Sequence, residues 1–323
     1  MSPANSGVPL LLFFLTLSLH TILCTAVPKK VSNFFPGDIS PPTEMYWYSR
    51  LPNTPPPKAL RDLLQPGRYP SVTREIANDD KYVGVDQRRY TILYKSIQQK
   101  NALPNSTLFY LYNDLHPGKK MKLQFANSGT KVTFLPRQVA ESIPFSSDQL
   151  SEILEYFSLQ VNSKEAQVII DEVGSCESPN MEGEEKYCAT SLESLIDFNV
   201  ERLGQNVEVL STDPGEKQEY TVSEKAKMTG DHKATACHKM RYPYAVYYCH
   251  VIEDTEVYMV PLVGADGTKV EAVTVCHLNT SAWSPEHMAF QVLKIKPGPA
   301  FCHFLASDTL IWVPTKDQDM MTP

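Results

Sequence analysis

The sequence predicts an α+β fold: a mostly antiparallel β domain, sandwich or barrel-like, with two helices, stabilised by disulfides and preceded by a Pro-rich extended leader. Three observations carry this reading. Short runs of apolar, aromatic and β-branched residues, separated by turn signals such as Pro-Gly and Ser-Gly, recur between residues 107 and 314, and such runs read as strands. Two stretches with apolar residues at helical spacing interrupt them. Six cysteines remain once an N-terminal export signal is set aside, and an even number in an oxidising compartment favours disulfides.

The N-terminus decides that compartment. Leu10 to Leu19, "LLLFFLTLSL", is an apolar run of signal-peptide length, too short to span a bilayer, and "CTA" offers small residues for cleavage after Ala26. Cleavage removes Cys24. The expected organisation is a signal peptide over 1–26, a leader and linker over 27–106, one domain over 107–314 and a frayed tail over 315–323. Asn105 and Asn279 head glycosylation acceptor triplets, in keeping with the secretory route. No later apolar run predicts a membrane anchor, and a net charge of -7 argues against nucleic acid and anionic membrane surfaces.

Residues 27–70 hold ten of the 25 prolines, so helix and sheet are disfavoured and an extended leader is expected. One short amphipathic turn, Ala59 to Leu64, sits inside it and is closed by Pro66-Gly67. Residues 68–106 are polar with mixed charge and read as a linker. "TLFYLYNDL", "KMKLQF" and "KVTFLP" then read as strands of a meander. In the first helix Ser146 and Gln149 suggest a capping box, and Leu150, Ile153, Leu154 and Phe157 share a face. In the second, Thr190 and Glu193 suggest another box. Leu192, Leu195, Ile196, Val200 and Leu203 form its buried side, and Gly204 stops it. Cys176 and Cys188, on either side of an acidic loop, can pair to tie that loop off. Six further strand-like stretches follow Gly204, ending in "AFCHFLASDTLIWVP".

The chemistry is concentrated in four Cys-His neighbours: Cys237-His238, Cys249-His250, Cys276-His277 and Cys302-His303. Adjacent residues of a strand point to opposite faces, so one sheet face can hold disulfides while the other presents imidazoles. Three readings stand at this point. The cysteines are disulfides and the histidines incidental packing; or thiolates and imidazoles build a zinc site, for which the spacings match no familiar module; or the four histidines form a site of their own. Imidazole suits copper, which tops the divalent affinity order. His116, His232 and His287 are expected at the surface, with a ligand role for any one of them as the alternative.

The order of the pairs, with gaps of 10, 25 and 24 residues, resembles the BURP-domain family of plant secreted proteins. "LPRQVAESIPFSS", "CATSLESLIDF", "ACHKMRYPYAVYYCH" and "PGPAFCHFLASDTLIWVP" support the resemblance, which covers Thr107 to Pro314. "LPNTPPPKALRDLLQPG" is similar to a segment preceding many such domains.

The resemblance implies location in the apoplast or vacuole. It also implies one of two functions. Some members are copper-dependent cyclases that oxidatively join a Tyr or Trp side chain to another residue of a core peptide, in cis or on a separate precursor. Others are apoplastic, seed or stress-associated proteins, some associated with cell-wall polysaccharide enzymes. On the first reading His238, His250, His277 and His303 are the metal ligands. Tyr242, Tyr244, Tyr247 and Tyr248 are then candidates to relay an electron or line the pocket, with core packing as the alternative. Gln87-Arg88-Arg89-Tyr90 is a candidate core peptide, with plain linker as its alternative.

Overall fold

The structure, a computed structural model, describes residues 43–64, 107–125, 132–180, 185–230 and 233–315. The signal peptide, the rest of the leader, Asn105, the Gln87–Tyr90 stretch, His232 and the tail from residue 316 lie outside the described residues.

Residues 43–64 are folded rather than extended, and the amphipathic turn expected over Ala59–Leu64 is present as the second of their two helices. They form α1 (Thr43–Arg50) and α2 (Lys58–Leu64), and Trp47, Leu51 and Leu60 are fully buried. The prolines fall between and after the helices and are compatible with both. Pro55-Pro56-Pro57 precedes α2, and the Pro57 carbonyl accepts from the amides of Leu60 and Arg61. Composition alone obscured this, because the Trp47, Leu51, Leu60 and Leu63 anchors are spread across a proline-rich background.

Then come β1 (Tyr110–Leu111), β2 (Lys120–Leu123), α3 (Arg137–Glu141), α4 (Leu150–Tyr156), α5 (Lys164–Glu177), β3 (Lys186–Ala189) and α6 (Leu192–Leu203). β4 (Val207–Leu210), β5 (Gln218–Val222), β6 (Lys227–Gly230), β7 (Lys233–Lys239) and β8 (Tyr247–Glu253) follow. β9 (Thr255–Gly264), β10 (Lys269–His277), α7 (Met288–Leu293), β11 (Phe301–Phe304) and β12 (Leu310–Pro314) complete the order.

Two antiparallel sheets result. One runs β1-β11-β10-β9-β5-β2 with β6 paired to β9; the other runs β3-β8-β7-β12-β4. Val257 of β9 and Val273 and Val275 of β10 meet Ala234 and Ala236 of β7 and Ile311 and Val313 of β12 between them. The seven-stranded sheet also curls over its outer face, where Phe125, beyond β2, touches Phe304 of β11 at the other edge. The predicted mostly antiparallel, disulfide-stabilised β domain is thus present, with seven described α-helices in place of two.

Three local expectations are corrected. "KVTFLP" contributes no described strand, and the early strands are not a meander: β1 pairs β11 and β2 pairs β5. Ser146 does not cap α4; its hydroxyl and the Ser147 amide both donate to Glu177 at the end of α5. The second capping box forms one residue later, between Ser191 and Ser194, because Thr190 is still outside the turn. Gly204 ends α6 as expected, at φ 83, where a side chain would be strained. The longest helix, α5, was not anticipated; it packs on the β7–β8 connection, and its buried Glu172 meets Arg241 at 3.4 Å.

The outer face of the five-stranded sheet is covered by α1, α2 and α6. Asp197 of α6 ties this layer together. It accepts from the Tyr46 hydroxyl at 2.6 Å and from Arg137 Nη2 at 2.5 Å, and lies 3.4 Å from Arg50 Nη2. Partial burial pushes its carboxyl up, but these hydrogen bonds and the charges of Arg137 and Arg50 outweigh that and hold it below the ordinary range. A depressed carboxylate contributes stability above its unfolded pKa that is lost as pH falls through the folded one. The expected result is an acid loss of stability below about pH 4 that is flatter in Asp197→Asn, checked by urea midpoints from pH 5 downward.

Candidate functional site

Two hairpin-like pairings build the site. In β7–β8, Cys237 lies directly opposite Cys249; in β10–β11, Cys276 lies opposite Cys302. Both pairs are disulfide-bonded, as are Cys176 and Cys188. Each imidazole follows its cysteine and so takes the other face. Cys237 and Cys249 face the helical layer, Cys276 and Cys302 face the curled outer cluster, and the histidines turn toward the space between the sheets.

They continue the rows that fill this space. His238 follows Ala234 and Ala236 along one face of β7, and His277 follows Val273 and Val275 along one face of β10. The apolar layer therefore gives way to imidazole at one end. His238 and His250 stack at 5.4 Å with Nε2 to Nε2 at 3.3 Å; His277 and His303 stack at 5.6 Å. The sequence placed these four together, and the fold does so in two pairs.

The Nδ1 atoms of three rings are engaged by the protein. Thr309 Oγ1 shares a hydrogen bond with His238 Nδ1 at 3.3 Å, and Thr255 Oγ1 with His277 Nδ1 at 3.1 Å. His303 Nδ1–H donates to the Phe304 carbonyl at 3.4 Å, which leaves the lone pair on Nε2. Such partners orient a ring and set its tautomer. Neither threonine was predicted; each arrives from a neighbouring strand or loop, with no local signal in sequence.

Burial lowers the basicity of these rings, and neighbouring imidazoles add to it. His238 is held well below its ordinary value by burial, then by His250 and His303. His277 is held well below by burial, then by His303, His250 and His287. Burial brings His303 to about 4. The lowered basicity favours the neutral form of these three rings, the form able to bind a metal.

His287, expected at the surface, is half-buried beside the site, and burial lowers it to about 4. Its Nδ1 accepts from the Ala289 amide at 3.2 Å and caps α7. Trp283 lies 4.8 Å from both His277 and His287, and Phe109 and Phe301 close the same aromatic wall. The Trp283/His287 spacing of four residues is visible in sequence but is uninformative outside a helix. His116 is exposed, as expected. Asn279 is exposed on the loop after β10.

The four candidate tyrosines are buried and divide between two faces. Tyr242 and Tyr244 pack with Phe145 and Phe157 beneath α4 and α5, and Tyr247 stacks on Phe134 on the helical side. Their phenols are raised by burial. Tyr248 is the one beside the site, 5.9 Å from the His250 ring.

Among the described residues no group of three or more His, Cys, Asp or Glu is arranged to hold a metal ion. The donor chemistry nevertheless suits copper: neutral imidazole nitrogens, oriented through Nδ1, with two Nε2 atoms facing each other. With all six described cysteines in disulfides, no thiolate is left among the described residues for a zinc site. No helix among the described residues is long and apolar enough to cross a membrane.

The family model described as BURP domain matches residues 108–314. The chain is 44% identical over 244 residues to "BURP domain protein RD22" of Arabidopsis thaliana, spanning 72% of this chain and 62% of that protein. It is 46% identical over 218 residues to "BURP domain-containing protein 3" of Oryza sativa subsp. japonica, spanning 65% and 51%. It is 41% identical over 280 residues to "BURP domain-containing protein 5" of the same rice, spanning 83% and 86%. The match thus spans less than two thirds of the length of the first two relatives.

Proposed function

The chain belongs to the BURP-domain family, and from that premise we propose that His238, His250, His277 and His303 bind copper for the oxidative macrocyclisation of a peptide. The observation that carries this is the pairing of four imidazoles on the inward faces of two disulfide-stapled strand pairs, three of them held neutral by burial. Bound copper would supply one-electron redox chemistry with dioxygen: a Tyr or Trp side chain would be joined to another residue, and the two hydrogens and two electrons lost would pass to dioxygen, giving hydrogen peroxide. The protein's own part is to orient the rings through Thr309, Thr255 and the Phe304 carbonyl. The wall of Trp283, Phe109 and Phe301 limits water. The substrate is a Tyr- or Trp-containing core peptide, in cis or on a separate precursor. The three disulfides support maturation in the secretory pathway and residence in the apoplast or vacuole.

A second reading has its own support. The imidazoles stand as two pairs rather than a closed cage, which suits a non-catalytic apoplastic, seed or stress-associated protein that meets cell-wall components. Peptide mass mapping after aerobic incubation with and without copper separates the two. Loss of two hydrogens from a peptide within Arg68 to Lys100, in the copper sample alone, establishes chemistry in cis. An unchanged map, with no modification of an added Tyr-containing peptide, leaves the non-catalytic reading. His250→Ala is expected to lower copper affinity by at least about 100-fold with the fold retained, checked by competitive chelator titration and circular dichroism.

A further inference from the structure

Residues 43–64 lie outside the 108–314 family match, yet Trp47, Leu51 and Leu60 among them are fully buried. The Trp47 ring packs 5.5 Å from Trp312 of β12. Leu51, Leu60 and Leu63 enter the same cluster as Leu192, Leu195 and Ile196 of α6 and Val207 and Val209 of β4. Thr54 Oγ1 donates to the Val207 carbonyl at 2.6 Å, and Tyr46 and Arg50 engage Asp197.

The attachment is made by side chains. The segment's backbone hydrogen bonds run inside it, from Leu51 to Trp47, Thr54 to Leu51, and Leu60 and Arg61 to Pro57. No described strand of either sheet pairs with it. The surface beneath is therefore assembled without its backbone, and the segment sits on it as an amphipathic peptide sits in a groove: spaced apolar anchors and a polar clip.

We propose that residues 43–64 are a separable docking element, and that the groove of α6, β4 and β12, once free, takes a separate peptide of that same sequence, with Trp47, Leu51, Thr54, Leu60 and Leu63 as anchors and Arg50 opposite Asp197. In cis the element pins the chain at Leu64, while Phe109, also buried, pins it beyond residue 106. Whatever lies between is kept at high effective concentration near the domain. What is delivered rests on the peptide-substrate reading above; the docking does not.

The test uses the full chain with its own anchors weakened. A fluorescent synthetic peptide of residues 43–64 is titrated, without copper, into Trp47→Ala/Leu60→Ala protein and into wild type. It is expected to bind the variant at least about tenfold more tightly than the wild type, whose groove is filled. A peptide carrying the same two substitutions should not bind. Equal binding to both proteins, or binding to neither, overturns the proposal. Should the variant fail to fold, the peptide added during refolding is expected to restore its near-ultraviolet signal, and no recovery overturns the proposal equally. Binding together with a negative copper mass map would leave the docking standing and remove the peptide chemistry.

Discussion

Trp47→Ala should cost about 3–5 kcal/mol of unfolding free energy, the range for removing a buried aromatic from a packed core. The ring is fully buried, lies against Trp312, and donates through Nε1 to the Thr54 carbonyl at 2.7 Å. Its loss removes apolar contact and a hydrogen bond and leaves a cavity between α1, β12 and α6. For a domain of this size each kcal/mol lowers the midpoint by roughly 2–4 °C, so the drop should reach about 10 °C. Met45→Ala on the same helix is the control. Met45 is 59% exposed, and the change should stay within about 0.5 kcal/mol. A Trp47→Ala protein as stable as wild type would mean that residues 43–64 are an appendage.

Replacing Cys276 and Cys302 together by serine is the other large effect. This disulfide closes a sequence separation of 26 residues, and losing such a loop constraint costs about 3–4 kcal/mol. The consequence is not confined to stability. His277 and His303 are the next residues along the same two strands, and their stacking depends on β10 and β11 keeping register. Copper affinity should therefore fall by about tenfold, as when groups supporting the ligands are lost. His277→Ala should do the reverse: a larger loss of copper with the denaturation midpoint nearly unchanged. Urea unfolding and chelator competition on the two variants separate the roles. Equal copper affinity in the disulfide variant would show that the ladder alone holds the rings.

The strands that were legible are those whose own alternation carries the signal. Along β9, Tyr258, Val260 and Leu262 face the outer cluster while Val257 faces the other sheet. α6 was legible for the same kind of reason, with a cap, an apolar stripe and a stop glycine in one run. β6 and β7 were not singled out as strands, since Lys227–Gly230 is short and polar and Lys233–Lys239 is dominated by small residues. α5 was missed although Ser163 caps it and Ala166, Ile169 and Val173 line one face. Its acidic and polar C-terminal residues run straight into the Cys176 loop, so the apolar period fades before the helix ends. Helix α1 was obscured by proline count, a property of the whole window that says little about the residues between prolines, whereas α2 (Lys58–Leu64) matches the amphipathic turn legible over Ala59–Leu64.

The family and the adjacency of each imidazole to a cysteine are legible in the chain alone, and so, through the two-residue period of a strand, is the opposite facing of staple and imidazole. Those are local consequences of covalent geometry. Only the tertiary structure decided that Cys237 meets Cys249 and Cys276 meets Cys302, because six cysteines permit fifteen pairings and register selects among them. It also decided that Thr309 and Thr255 hold ring nitrogens, that His287 and Trp283 close over His277, and that Trp47 belongs to the core. Each of these joins residues far apart in the chain or outside regular elements, where no local period exists and burial against other elements sets the outcome.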